Sequence, residues 1–417
     1  MVTTMPLYPI NSARLNRSLE ELGRFGETSY GMERLAFSPA DIASRNYTME
    51  LMRKAGLETR IDTAGNIIGR KSGSEDSFPA IALGSHTDTV PYGGKYDGAL
   101  GVMGAIEVVQ TLAERGHTTR HPVEVIVFTN EEGTRYHRWL IGSRAMAGLL
   151  EQEDLDAVDD EGVSLSSRVA DVGGDLSRVD GAARRTGELA AYIELHIEQG
   201  PNLHRSGTPL GVVTGITGRA VFEVDIEGTT NHAGTTPMAD RHDALVSASK
   251  LVLDIRKMAA EDEICRVTTV GSIQATPNAV NVIPGSAKLG LEFRDVDMDA
   301  MAAAERELNR AAQRTSASDG VAITVNRHRF NPSVPIDSGM QSLVAEAAGR
   351  CGLAWEALPS GAGHDAQAIA SIAPMAMLFV PSVDGISHAV AEYSTPEDCA
   401  NGTQALLELL LMADNRI

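Results

Sequence analysis

Four segments of this chain carry imidazoles and carboxylates in settings that suit work on a metal ion or a proton. GSHTDTVPYGGKYDG supplies His86, Asp88 and Asp97, and FTNEEG supplies Glu131 and Glu132. ELHIEQG supplies His196, and DGISHAV supplies His388. The first three follow, or lie within, runs of apolar β-forming residues. Strand ends converging on one crevice are where an open α/β sheet builds a site. Three imidazoles, one shared aspartate and one glutamate suit two divalent ions, with zinc, manganese, cobalt or nickel all compatible with such ligands. The other glutamate of the FTNEEG pair then stands free to take a proton from an attacking water and return it to a leaving nitrogen. Asp88, two residues beyond His86, is placed to accept the second ring N–H of that histidine and fix its tautomer. Taken singly, each feature has a plainer use. Asp97 suits a helix cap, His86 and His388 suit surface turns, His196 suits a satisfied core position, and a Glu-Glu pair suits a solvated loop.

The elements that must position these groups read as alternating strands and helices. Residues 11–24 and 39–56 are amphipathic, the second opening with Ser38-Pro39, a capping residue before a first-turn proline. Segment 58–70 alternates around Ala64-Gly65 as a hairpin would. Strand-like 80–85, helix-like 99–115, strand-like 123–129 and helix-like 140–150 follow. Residues 151–190 predict short helices and loops, and 190–198 another strand. Such alternation predicts an α/β fold, a largely parallel sheet covered by helices. From 211 to 330 the order becomes β-α-β-β-α-β, the pattern of a ferredoxin-like unit. It interrupts the α/β sequence, so it reads as an insertion, with 1–210 and 331–417 forming the outer domain. The last part supplies a helix from 338, a strand at 374–380 and a terminal helix from 396.

Composition bounds the possibilities. A chain of 417 residues is too long for one ordinary core. A net charge of -20 without a basic stripe argues against nucleic acid. No stretch approaches the roughly 20 apolar residues of a membrane span. The N-terminal stretch lacks a charged region followed by an apolar core, so no secretory signal is expected. The three cysteines, Cys265, Cys351 and Cys399, are odd in number and far apart, as reduced thiols of a cytoplasmic protein would be.

An acidic protein that binds an acidic small molecule needs a local cation. PNAVNVIPG followed by LEFRD puts Asn281 and Arg294 on what read as neighbouring antiparallel strands, and a guanidinium there can grip a carboxylate. A surface salt bridge to Asp295 or Asp297 is the plainer use of Arg294. GTTNHAGTTPM places His232 in a loop of small polar residues. PSGAGHDA is a glycine-rich turn able to offer backbone N–H groups to an anion, or one in which His364 and Asp365 merely cap a helix.

From about residue 20 to its end, the chain resembles the hydantoinase/carbamoylase family of binuclear amidohydrolases, relatives of the metal-dependent aminoacylases and peptidases. The motifs GSHTDTVPYGGKYDGALGV, FTNEEG, ELHIEQGPNL, NHAGTTPM, NAVNVIPG, SGAGHDA and GISH carry the resemblance, in the family's order. It implies one ion on His86, Asp97 and His196, and a second on Asp97, Glu132 and His388. It implies Glu131 as general acid/base, and Gln199, His232, Asn281, Arg294 and Gly363 as substrate-binding positions. It further implies a homodimer made through the inserted domain, with His232 reaching the partner's active site and helping to stabilise an oxyanion. The implied activity is hydrolysis of an N-carbamoyl-L-amino acid to the L-amino acid, ammonia and carbon dioxide. Allantoate is the alternative substrate, and a catalytically dead binding protein the alternative from another class. Tyr136 and His137-Arg138-Trp139 depart from the family's pattern, which bears on substrate specificity.

Overall fold

The computed structural model describes residues 8–417. Residues 1–7, part of the stretch read as lacking a secretory signal, lie outside it. The chain divides into two compact units. One runs to Thr214 and resumes over Ile336–Ile417, and the other is Gly215–Pro335.

The first unit is built on a mixed sheet. At its centre, strands Val123–Phe128, Ala80–His86, Leu189–Ile197 and Met375–Val380 are parallel neighbours in that order. All residues of Ala80–His86, Val123–Phe128 and Met375–Val380 are buried. That is why their sequences are near-continuous apolar runs: a strand covered on both faces has no side to give to polar residues. Antiparallel strands Ile67–Lys71 and Glu58–Ile61 extend one edge, and Leu210–Ile216 runs antiparallel at the other. The parallel arrangement thus holds at the centre and gives way at the flanks.

Helices Ala99–Glu114 and Pro396–Arg416 are buried along most of their length. In helix Pro39–Lys54 the Ser38 hydroxyl accepts the Asp41 N–H and proline fills the first turn. Strands Leu210–Ile216 and Trp355–Ser360, which pair with each other, were not expected from sequence. The first is interrupted by Gly211 and Gly215, and the second contains Glu356 and Pro359.

The second unit is a four-stranded antiparallel sheet, ordered Val267–Thr276, Ser286–Asp295, Gly218–Glu227, Ala322–Asn331. With helices Ala244–Ala260 and Met298–Asp319 inserted in chain order, this is the β-α-β-β-α-β unit. Burial alternates along Gly218–Glu227 and Ser286–Asp295, as it must when one face meets helices and the other does not. Phe222, Val224, Leu289, Leu291 and Phe293 form its core with Leu251 and Leu308 from the helices. Its limits fall a few residues later than the sequence suggested, because Leu210–Ile216 first adds to the larger sheet.

Candidate metal centre

His86 ends its strand in register with Phe128, so Glu131 and Glu132 emerge just beyond the same sheet end. His196 lies in register with Phe379 on the parallel neighbour, and the chain leaving that strand carries His388. Asp97 precedes Gly98, which opens helix Ala99–Glu114 with φ 63°. Gly98 needs that left-handed backbone, and a Cβ there would also collide with the His86 ring. The turns bearing the other groups are strained too. Asn130, Gln199 and His388 all have φ between 53° and 57°. Left-handed backbone in residues other than glycine gathers where function over-determines it.

The two oxygens of Asp97 face different partners. Oδ1 lies 3.5 Å from His86 Nε2 and 3.2 Å from His196 Nε2. Oδ2 lies 3.1 Å from His388 Nε2, and Glu132 Oε1 lies 3.6 Å from the same nitrogen. Two donors bound about 2.1 Å from a tetrahedral ion stand about 3.4 Å apart, so both trios have ligand spacing. The imidazoles are oriented for it. His86 Nδ1 lies 3.0 Å from the carbonyl of Asp88, and His196 Nδ1 2.9 Å from that of Ile197. Donation there leaves each Nε2 lone pair for a metal. Glu132 Oε1 is buried without a hydrogen-bond partner among the described residues, which a role as metal ligand would explain. The residues present therefore fit two divalent ions: His86, Asp97 and His196 for one, Asp97, Glu132 and His388 for the other.

Burial pushes the Glu131 carboxyl well above its ordinary range, with Glu132, Asp365 and Asp88 adding to the effect and His86 opposing it. Burial, and then Asp97, raises Glu132 to about 8. Its hydrogen bond to Asp97 lifts His388 to about 9 against the cost of burial. Asp97 is held well below the usual range, because hydrogen bonds from His196, His388 and His86 outweigh its burial. This is a site short of positive charge, in which protons and cations compete for the same atoms. Glu131 Oε2 is 3.7 Å from His86 Nε2, beside the trios.

The remaining candidates divide between the units. Gln199 lies at the cluster, its Nε2 donating to Asp97 Oδ2 at 2.7 Å. Asp88 works differently from expectation. Its side chain stands 3.8 Å from His86 Nδ1, whose close partner is the backbone carbonyl, and its two oxygens accept the N–H groups of Glu131 and Glu132 instead. Gly363 lies in the turn before helix Asp365–Ile369, where an added Cβ would make only ordinary contact with Gln367. One N–H of that helix, that of Ala366, is taken by Glu194 at 3.0 Å. His364 occupies the cap position of the helix, but its side chain makes no capping hydrogen bond. It pairs with the Ser360 hydroxyl at 2.7 Å and packs edge-on against His196, with ring centroids 4.4 Å apart. Tyr136 is core, edge-on to Phe37, and Arg138 pairs with Glu153 at 3.2 Å.

His232, Asn281 and Arg294 belong to the second unit. His232 and Asn281 are neighbours: strand Asn231–His232 pairs with Val282–Ile283, and the Ala233 N–H donates to the Asn281 carbonyl. His232 is exposed. Its Nδ1 accepts the N–H groups of Gly234 and Thr235 at 3.0 and 3.2 Å, which places the ring proton on Nε2. Arg294 does not neighbour Asn281. It lies at the far end of strand Ser286–Asp295, in register with Arg219, about 27 Å along at 3.4 Å per residue. Its Nε donates to Glu292 at 2.8 Å, not to Asp295 or Asp297.

Sequence reasoning missed Glu392, a buried carboxylate that accepts the Asp97 N–H at 3.0 Å. The available signal was Gly93-Gly94, since a Cβ on Gly94 would collide with Glu392.

Comparison with known proteins agrees with this chemistry. The sequence pattern of Peptidase family M20/M25/M40 matches residues 82–412. An N-carbamoyl-L-amino acid amidohydrolase of Geobacillus stearothermophilus is 40% identical over 398 residues, covering 95% of this chain and 97% of the relative. The allantoate amidohydrolase of Bacillus subtilis is 35% identical, covering 94% and 95%. A solved amidase of the hydantoinase/carbamoylase family from Burkholderia multivorans matches with a TM-score of 0.90 at 35% identity, covering 98% of this chain and 99% of that one. With likeness of this extent in both sequence and fold, the chain belongs to peptidase family M20/M25/M40, among its hydantoinase/carbamoylase amidohydrolases.

Proposed function

We propose that the protein hydrolyses the ureido C–N bond of an N-carbamoyl-L-amino acid, using two divalent ions of the zinc, manganese, cobalt or nickel class. The observation that carries the reading is Asp97, whose two oxygens each face a separate imidazole set. When bound, the ions supply Lewis acidity that makes water a nucleophile near neutral pH. Glu131, buried beside the trios, takes the proton from the attacking water and delivers it to the departing nitrogen. Asp88 holds the backbone of Glu131 and Glu132, so base and ligand keep their separate directions. His232, with its proton on Nε2, is a donor suited to a developing oxyanion. Arg294 and Asn281 orient the carboxylate and polar groups of the substrate, with Gln199 and Gly363 beside the reacting end. Water adds to the carbamoyl carbon and the C–N bond breaks. The amine leaves with the proton, and carbamic acid falls to ammonia and carbon dioxide.

A homodimer accounts for the separation of Arg294 from the His232–Asn281 pair. Ser286 to Arg294 alone spans about 27 Å at 3.4 Å per residue, and Asn281, which flanks the strand paired with His232, lies before Ser286, so we assign His232 and Asn281 to the partner's site. Among the described residues, strand Val267–Thr276 is an unpaired sheet edge with Val267 and Ile273 exposed, and Val246 and Leu253 are exposed on helix Ala244–Ala260. An apolar edge of this kind suits pairing with a second copy. Three unpaired cysteines suit a cytoplasmic enzyme. Among the described residues, no helix is long and apolar enough to cross a membrane.

Allantoate is the second reading, favoured by the Bacillus subtilis relative. It also joins a ureido group to a carboxylate. Ammonia release by metal-loaded protein from a panel of N-carbamoyl-L-amino acids and from allantoate decides between them. Faster release from the carbamoyl panel is expected, and faster release from allantoate would replace the first reading with the second. Binding of both without turnover would leave a binding protein.

A further inference from the structure

Glu392 is a buried carboxylate with no part in the proton transfers above. Its two oxygens are divided between segments far apart in sequence. Oε1 accepts the backbone N–H groups of Tyr96 at 2.9 Å and Asp97 at 3.0 Å. Oε2 accepts the Ser387 hydroxyl at 2.8 Å and the backbone N–H of His388 at 3.4 Å. A carboxylate is an acceptor at both oxygens, with room for about four donors, and here each oxygen takes two. The surroundings are shaped for it. A Cβ on Gly94 would collide with the Glu392 side chain, and Gly94 has no positive φ to explain its being glycine. His388 needs such a hold. Its side chain is 49% exposed and its backbone is left-handed at φ 55°, so packing does not fix it. His86 and His196, by contrast, are buried on strands.

We propose that Glu392 is a positioning residue that fixes the spacing between Asp97 and His388, and thereby holds the ion position formed by Asp97, Glu132 and His388. The position formed by His86, Asp97 and His196 depends on it far less, because strands carry both of its histidines. This rests on the two-ion reading.

The test is metal retention, read independently of turnover. Cobalt-loaded wild type, Glu392→Ala, Glu392→Gln and Gly94→Ala are dialysed against graded chelator. Bound cobalt per chain and its visible absorbance are then measured, with circular dichroism to verify folding. Wild type is expected to hold two ions. In Glu392→Ala and Gly94→Ala one ion should leave at about 10- to 100-fold lower chelator, the usual effect of losing a ligand's supporting hydrogen bond, while the other stays. Glu392→Gln should lie between, since its amide oxygen can serve Tyr96 and Asp97 while its NH₂ turns to Ser387. Gly94→Ala should add nothing to Glu392→Ala, because both act through one contact.

Folded variants that release both ions as wild type does, or that weaken both equally, would overturn the role of Glu392 alone. Should Glu392→Ala fail to fold, the other two variants decide by the same criteria. Wild type holding fewer than two ions would instead overturn the two-ion reading, and this proposal with it.

Discussion

Asp88 Oδ1 accepts the backbone N–H of Glu131 at 3.2 Å. Oδ2 accepts that of Glu132 at the same distance. One carboxylate thus sets the backbone from which the proposed base and the proposed ligand depart, and it does so from the segment that also carries His86. Asp88→Asn keeps the shape but turns an NH₂ towards one of the two N–H groups. We expect turnover to fall by about 10- to 100-fold, as for other supporting groups at metal sites, with the fold retained. Wild-type turnover in Asp88→Asn would show that the hydrogen bonds are incidental.

Metal removal follows from the two trios. Chelation should abolish turnover, and zinc, manganese, cobalt or nickel should restore part of it. Asp97→Ala should lower metal content more than His86→Ala, because Asp97 faces both imidazole sets. Full activity in metal-stripped protein would dispose of the metal reading.

Glu131→Gln keeps the side chain's volume and removes its proton transfer. It should retain both ions and lose about 10²–10⁴-fold in turnover, the range of a general acid/base. Loss of an ion instead would mean that Glu131 and Glu132 exchange roles.

Arg294→Lys keeps a cation and loses the planar fork, so it should raise KM for a carboxylate substrate. With wild type, an amide analogue of the substrate should lose most of the acid's advantage. Equal rates for acid and amide would remove Arg294 from the site.

Two inactive proteins should rescue each other. Mixed under conditions that exchange subunits, His232→Ala and Glu131→Gln give a heterodimer in which one site carries both defects. The other has its own Glu131 and the partner's intact histidine. Activity should return to about half of wild type per heterodimer, given two-fold pairing. Proven heterodimers that stay inactive would place His232 in its own chain's site or in none.

Much of this was legible in the sequence because it is local. Central strands such as Ala80–His86 announce themselves as apolar runs, since both of their faces are covered. His86, Glu131, Glu132 and His196 stand out at or just beyond the ends of such runs, whereas Asp97 and His388 stand out by their motifs and by the family resemblance those motifs carry. The alternating strands of the second unit are equally plain, with one face buried and the other not. Partnership was not legible. The sequence suggested that Asp88 serves the histidine two residues away, yet the fold brings it to the Glu131–Glu132 backbone. Asn281 and Arg294 are thirteen positions apart in sequence, but the extended strand between them separates what a folded-back chain would have joined. Glu392 meets Asp97, and His364 meets His196, only through the tertiary fold. A hydrogen bond depends on where a second, distant segment lies, and no local pattern of residues encodes that position.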